Sequence, residues 1–237
     1  MRPLIFSLGV LAASLLGLTQ PAPAQAADKL VVVELYTSQG CSSCPPADAL
    51  LQKISAEYDD VIALALHVDY WDYIGWKDMF ADPAYSKRQK DYGRAAGHRS
   101  VFTPQMVIGG IDHVVGYKPM DVANVIQKHR SAPDEISVTA QRAGSDVIIT
   151  LVSLRDSGTY RVSLVGYANE ETVSIKRGEN AGKTITYANT VKDFVDLGKW
   201  DGSGRKSIRH KMPEGENAAV VVQKAGMGPV VGAARVR

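Results

Sequence analysis

Cys41 and Cys44 are the only cysteines in this 237-residue chain, and two serines separate them. A pair at that spacing has three possible chemistries. It can form a redox-active disulfide, in which one thiolate attacks a partner's disulfide and the second resolves the mixed intermediate. It can hold a soft metal such as Cu(I) through two thiolates, with His67, His98 or His113 adding a nitrogen. It can also be an inert staple. With no third cysteine, no disulfide reaches a distant loop, and any electrons passed through the pair come from another protein.

The flanking residues place the pair between a strand and a helix. Lys29 to Tyr36 is a β-branched, mostly apolar run, as in a strand buried on both faces. After the cysteines, Pro45 and Pro46 are tolerable only in a first helical turn, and Ala47, Leu50, Leu51, Ile54 and Tyr58 then recur at helical spacing. A cysteine at a helix N-terminus feels unpaired N–H groups and the positive end of the dipole, which favour a thiolate and bring its pKa to roughly 3.5–7.5. Cys41 is therefore expected to be the attacking, more exposed sulfur and Cys44 the resolving, more buried one.

Val61 to Val68 reads as a second buried strand, and the strand–helix–strand order favours a parallel crossover. Asp82-Pro83 opens a further helix towards Gly97, Gln105 to Ile108 and His113 to Gly116 flank a Gly109-Gly110 turn, and Pro119 to His129 forms a last helix. Beyond Pro133 the pattern changes to short alternating strands at Ile136–Arg142, Val147–Leu154, Thr159–Tyr167, Thr172–Lys176, Asn217–Gln223 and Pro229–Val236. The expectation is an α/β domain over 27–132 followed by an all-β, sandwich-like domain over 133–237. Residues 1–26 read as a secretory signal peptide: Arg2, an apolar run from Leu4 to Leu18, and small residues ending at Ala26. That run has 15 residues, short of the roughly 20 a bilayer needs, so the mature chain is expected in the periplasm or outside the cell with no membrane span. A composition of 45% hydrophobic and 22% charged residues with net charge +2 excludes a disordered chain and gives no basic face for nucleic acid. No HExxH, GxSxG or P-loop occurs, and no cofactor is expected.

Val33-Glu34-Leu35-Tyr36-Thr37-Ser38-Gln39-Gly40-Cys41-Ser42-Ser43-Cys44 resembles the active-site segment of glutaredoxins and other thioredoxin-fold proteins. The segment Gly97 to Ile108, containing Thr103-Pro104, resembles the thioredoxin segment in which a cis-proline faces the disulfide. Together with His67 to Asp78 and Arg177 to Lys183, these motifs are similar to a family of secreted bacterial proteins of unknown function with a thioredoxin-like fold. The resemblance implies an α/β thioredoxin-like domain over residues 27–132, a cis Pro104, and a Thr103 whose backbone meets an extended substrate strand beside Cys41. It also sets Glu34 near the position of a buried acid that moves protons for the resolving thiol; the alternative is a strand-end Glu paired with Lys.

Trp71, Tyr73 and Trp76 lie in an aromatic, loop-like segment that is either a hydrophobic wall for a client or a packed lid. His67 reads as a core histidine or a thiolate tuner, His98 and Arg99 flank the proline loop, and Arg177 to Lys183 reads as a structural hairpin of mixed charge. The functional expectation is an exported thiol–disulfide oxidoreductase. Its partners would be protein thiol or disulfide clients and an external redox protein, and no metal is needed. A Cu(I)-binding, chaperone-like module and a non-catalytic envelope binding protein with an inert disulfide are the alternatives.

Overall fold

The computed structural model describes residues 29–155 and 158–237, so the expected signal peptide lies outside the described residues. Strand β1 (Val31–Thr37), helix α1 (Pro45–Glu57) and strand β2 (Val61–His67) form a parallel crossover, in register from Val31 opposite Val61 to Thr37 opposite His67. Helix α2 (Pro83–Ala95) starts at Asp82, whose carboxylate accepts the Ala84 N–H at 2.7 Å, and Pro83 sits at its first position. Strand β3 (Gln105–Ile108) pairs antiparallel with β1, β4 (Asp112–Val115) pairs antiparallel with β3 at the sheet edge, and α3 (Pro119–Arg130) follows.

Period-two alternation divides the side chains of these strands between two cores. Val31, Val33 and Leu35 point with Ala63, Ala65 and Met106 towards α1 and α3. Val32, Tyr36, Ile62, Leu64 and Leu66 point the other way, onto Tyr85 and Tyr92 of α2.

The rest of the chain does not form a separate β domain. Strands β7 (Tyr160–Ser174), β8 (Thr184–Trp200), β10 (Asn217–Lys224) and β11 (Val230–Arg235) join the first four in one mixed, eight-stranded sheet of order β11-β10-β7-β8-β2-β1-β3-β4. Only β5 (Ile136–Ala143), β6 (Asp146–Ser153) and β9 (Arg205–Lys211) stand apart, as a three-stranded antiparallel sheet. Their Val138, Val147, Ile149 and Leu151 pack on Leu164, Val220 and Val222 of the large sheet.

This overturns the expected α/β thioredoxin-like domain followed by an all-β domain: the fold is mostly β, with a sheet that runs through both halves of the chain. The physical reason is the docking of β8 alongside β2, where Ala65 pairs with Thr190. Thr184 to Trp200 has Lys192, Asp193, Asp196 and Lys199 breaking its apolar run, so no strand was expected there. The expected strands Thr159–Tyr167 and Thr172–Lys176 are one continuous strand, β7.

Gly166 marks a close backbone approach within β7, at a register shift against β8. A Cβ there would stand 1.9 Å from the Glu214 carbonyl oxygen and 2.9 Å from Pro213 Cβ. Backbone has no rotamer with which to yield. Gly166→Ala is expected to cost about 1–3 kcal/mol, the usual range for overpacking, read as a lower urea midpoint at unchanged slope.

Candidate functional site

Cys41 and Cys44 form a disulfide with Cα atoms 5.4 Å apart. The chain leaves β1 at Thr37, turns through a Cys41 N–H to Ser38 carbonyl bond of 3.1 Å, and turns again through a Cys44 N–H to Cys41 carbonyl bond of 3.1 Å. Cys44 is the residue that caps α1, without a side-chain bond. Pro45 and Pro46 carry no N–H, and those of Ala47 and Asp48 both go to the Cys44 carbonyl at 2.8 and 3.1 Å. The first turn therefore has few unpaired amides to offer an anion, contrary to the expectation from sequence. What remains for a thiolate is the dipole and the Ser43 hydroxyl, whose Oγ lies 3.4 Å from Cys41 Sγ.

Both cysteines have 0% relative exposure, so exposure does not rank Cys41 above Cys44. Several segments account for this burial. A Cβ built on Gly40 would lie 3.1 Å from Trp71 Cβ and 3.1 Å from Ile74 Cδ1, which shows how closely the aromatic segment seats on the loop. The Trp71 indole donates to Thr103 Oγ1 at 2.7 Å, and the Trp76 indole donates to Gln39 Oε1 at 2.7 Å. Tyr73 stacks on Trp71 but remains 81% exposed. The Thr103–Pro104 peptide is cis, and a Cβ on Gly116 would meet Ala47 Cβ at 3.1 Å and Pro104 Cβ at 3.4 Å, so Pro104 packs beside the first turn of α1. Cys41, Cys44, Trp71, Trp76, Thr103 and Pro104 are thus brought into one neighbourhood.

Glu34 does not join them. It lies on the α2 face of β1, where Arg88 grips it through two bonds of 2.8 Å and the hydroxyls of Tyr36 and Tyr92 each donate at 2.9 Å. Burial pushes its carboxyl upward, but the charge and hydrogen bonds of Arg88, with the two tyrosines, outweigh this and hold it below the usual carboxylate range. A carboxylate fixed in this way is a structural ion pair, and the proton-moving role expected of Glu34 is not supported.

Two buried acids, Asp48 and Asp78, lie on the disulfide side of the sheet, and Asp48 is the one carried by α1. It follows Cys44 by four residues on α1 and so shares its helix face. Thr37 Oγ1 donates to Asp48 Oδ1 at 2.7 Å, while Oδ2 has no partner. Burial raises its carboxyl to about 7, against the lowering effects of His67 and of the Thr37 bond, with Asp78 adding to the rise. Thr37 and His67 are register partners on adjacent strands and so share this face. His67 Nδ1 lies 2.7 Å from Asp78 Oδ2, which also accepts the Gln39 N–H at 2.8 Å. The His67 ring meets Tyr187 of β8 edge to face at 4.9 Å, and His67 Nε2, Tyr187 OH and Thr190 Oγ1 are buried without partners. A polar cluster thus lies beneath the first turn of α1, assembled from β1, β2, α1, β8 and the loop at Asp78. Asp48 was legible as a helix position four after Cys44; Tyr187 and Thr190 carry no local signal. Among the described residues no group of three or more His, Cys, Asp or Glu side chains is arranged to hold a metal ion.

The second half of the chain also reaches the cysteines. At the tip of the β7–β8 hairpin, Asn180 Nδ2 donates to the carbonyls of Gln39 and Cys41, each at 2.9 Å, and Glu179 Oε2 accepts the Ser42 N–H at 3.2 Å. Sequence reading gave this tip a structural role alone, because its partners lie 137 to 141 residues away.

A family model described as a protein of unknown function (DUF1223) matches residues 32–223. No curated protein matches the chain. Among solved structures, the crystal structure of a protein from Agrobacterium tumefaciens is 32% identical, with 89% of this chain and 95% of that one covered at a TM-score of 0.76. HBP35 of Porphyromonas gingivalis is 16% identical over 88% of this chain and 74% of that one at a TM-score of 0.62, a likeness of fold alone.

Proposed function

We propose, from the premise that the chain belongs to the DUF1223 family of proteins of unknown function, that it is an exported thiol–disulfide oxidoreductase. Its clients would be the thiols or disulfides of other proteins. The observation that carries this reading is a disulfide spanning only Cys41 to Cys44 at the mouth of α1. As a staple such a bond does little: closing a four-residue loop is worth roughly 2 kcal/mol on chain-entropy grounds, against about 4.7 kcal/mol for a 100-residue loop. Its chemistry is the better reason for it. Export rests on the leader features of residues 2–26, and a disulfide with no described helix long and apolar enough to cross a membrane is compatible with a periplasmic or extracellular protein.

In the oxidising direction a client thiolate attacks Cys41 Sγ, the Cys41–Cys44 bond breaks, and Cys44 leaves as a thiolate that takes up a proton. A second client thiolate then attacks the client sulfur of the mixed disulfide and expels Cys41. The client leaves with a disulfide and the protein holds two thiols, which an external disulfide-bearing partner reoxidises. In the reducing direction the same steps run backwards. Cys41 takes the attacking role because the Ser43 hydroxyl lies 3.4 Å from its sulfur, whereas Cys44 is built into the helix cap. Tyr73, exposed on Trp71, is the aromatic contact offered to a client chain.

The test uses trapping and turnover. Cys44→Ala, whose Cys41 thiolate attacks a disulfide-bearing client and releases the client's other sulfur as a thiol, is expected to accumulate a mixed disulfide, and Cys41→Ala to form none. The unmodified chain should catalyse insulin reduction when supplied with a reductant. A reduction potential below about −300 mV together with no turnover and no trapped client would make the bond an inert staple and overturn the reading.

A further inference from the structure

Thiol–disulfide exchange requires a nucleophile to approach one sulfur along the S–S axis, yet both cysteines are fully covered. The element from the second half of the chain that meets the cysteine loop is bound to it through three hydrogen bonds, all to backbone atoms of residues 39–42. We propose that the tip of the β7–β8 hairpin, residues 177–183, gates access to the disulfide, and that Asn180 is its latch. The inference rests on Cys41–Cys44 being the reacting centre.

Three features fit a gate better than a passive brace. First, the tip is internally closed: Gly182 N–H to the Ile175 carbonyl, Ile175 N–H to the Lys183 carbonyl and Ala181 N–H to the Gly178 carbonyl, each 2.9 to 3.2 Å, hold its shape without help from the cysteine loop. It can therefore leave as a body. Second, the arm behind it has its own small cluster, Val173, Ile175 and Tyr187 with Trp76, Phe80 and Ile185 against it, separate from the three main cores. Elements held by few buried side chains open at lower free energy than those in a central core. Third, Asn180 is 1% exposed and its amide is fully used, both N–H bonds going to Gln39 and Cys41 and Oδ1 accepting from Lys183 Nζ at 2.8 Å. Releasing Asn180 frees the carbonyl of the very cysteine that a client must attack, while Glu179 on exposed Ser42 is a weaker, solvent-screened tie. Client selection then becomes partly a matter of which surface pulls this tip away.

The test measures reduction of the disulfide by dithiothreitol in the full chain, with no client present. One probe thiolate attacks Cys41 Sγ, the bond to Cys44 breaks, Cys44 takes a proton, and the second probe thiolate closes the probe's ring and releases Cys41. The unmodified chain is expected to reduce at a rate that levels off with rising probe concentration, because opening becomes limiting. Asn180→Ala should speed reduction about tenfold at low probe, the equivalent of about 1.4 kcal/mol. The near-isosteric Asn180→Asp should exceed it, because it sets carboxylate against two carbonyl oxygens. Glu179→Ala should act in the same direction by less, about threefold.

Native-state hydrogen exchange at the β1 amides serves as the control for global unfolding. Reduction rates that stay within twofold of the unmodified chain in all three variants overturn the gate, and so does a gain matched by an equal gain in β1 exchange. A gate that opens as described in a chain with a potential below about −300 mV, no insulin turnover and no trapped client leaves the gate standing and overturns the enzyme reading.

Discussion

Arg88→Met is expected to destabilise the protein by about 3–5 kcal/mol, the cost of leaving a buried carboxylate without its cation. The carboxylate is Glu34, 2% exposed in the central strand β1, with Arg88 bidentate upon it and Tyr36 and Tyr92 completing its shell. Loss of the guanidinium also removes a bond to Tyr92 and the stacking of Arg88 on Phe194, whose ring centroid lies 4.4 Å away. The damage should grow with pH. Without Arg88, burial, the largest influence on Glu34, is opposed by the two tyrosine bonds alone, so its pKa is expected to rise above the unfolded value and stability to be lost as pH rises through the folded pKa. Glu34→Gln combined with Arg88→Met should cost less than Arg88→Met alone at pH 8, since no charge is left stranded and the amide oxygen still accepts from the tyrosines. Urea unfolding of the three variants at pH 5 and pH 8 reads both effects. An Arg88→Met cost under 1 kcal/mol would contradict the account of the ion pair. The double variant should also leave dithiothreitol reduction of the disulfide unchanged, since Glu34 faces α2 and not the cysteines.

Asp48→Asn should act in the opposite direction. Its carboxyl, raised to about 7 in the folded protein by burial, binds a proton more tightly there than in the unfolded chain. Between about pH 4 and 7 the folded state holds more protons, so stability falls as pH rises across that window, and the loss is complete above it. The total is on the order of 4 kcal/mol, at 1.36 kcal/mol per pKa unit. An amide in its place cannot ionise, its oxygen can still accept the Thr37 hydroxyl, and its NH₂ faces a cluster in which His67 Nε2 has no donor of its own. The variant should match the unmodified chain near pH 4 and exceed it by several kcal/mol at pH 8. An equal loss of stability at both pH values would sink this assignment. His67 and Asp78 are the other ionisable groups acting on this carboxyl and should be held constant in the comparison.

How much of this was legible in the sequence follows from the range of each interaction. The cysteine-bearing loop, the two prolines of α1, the Asp82 cap and the turn at Gly109-Gly110 are local signals, and each is found where its residues indicate. Family membership was also legible, through motifs distributed along the chain. The sheet was not. Whether β8 forms a second domain or docks on β2 depends on pairing between Ala65 and Thr190, 125 residues apart, and neither carries a mark of the other. The same limit decided the site. Glu34 and Asp48 are both acids near the cysteines in sequence, but β1 alternation sends Glu34 to the α2 face while the pitch of α1 brings Asp48 back onto the side of Cys44. Asn180 was beyond reach, since a short polar residue in a turn has many local explanations.

Asn180 lies 139 residues after the cysteine whose carbonyl it holds, and that distance has a meaning in time. At about 5–20 residues per second, roughly 7 to 28 seconds separate the synthesis of Cys41 from that of Asn180. During that interval nothing from the hairpin stands over the sulfurs. A chain in that interval has its Cys41 and Cys44 without the hairpin, whereas the finished protein presents them under cover. Under the proposed gate, the first closure of the pair and any later exchange at it would be different encounters, the former open to the chain before its hairpin exists and the latter set by whatever draws the hairpin aside.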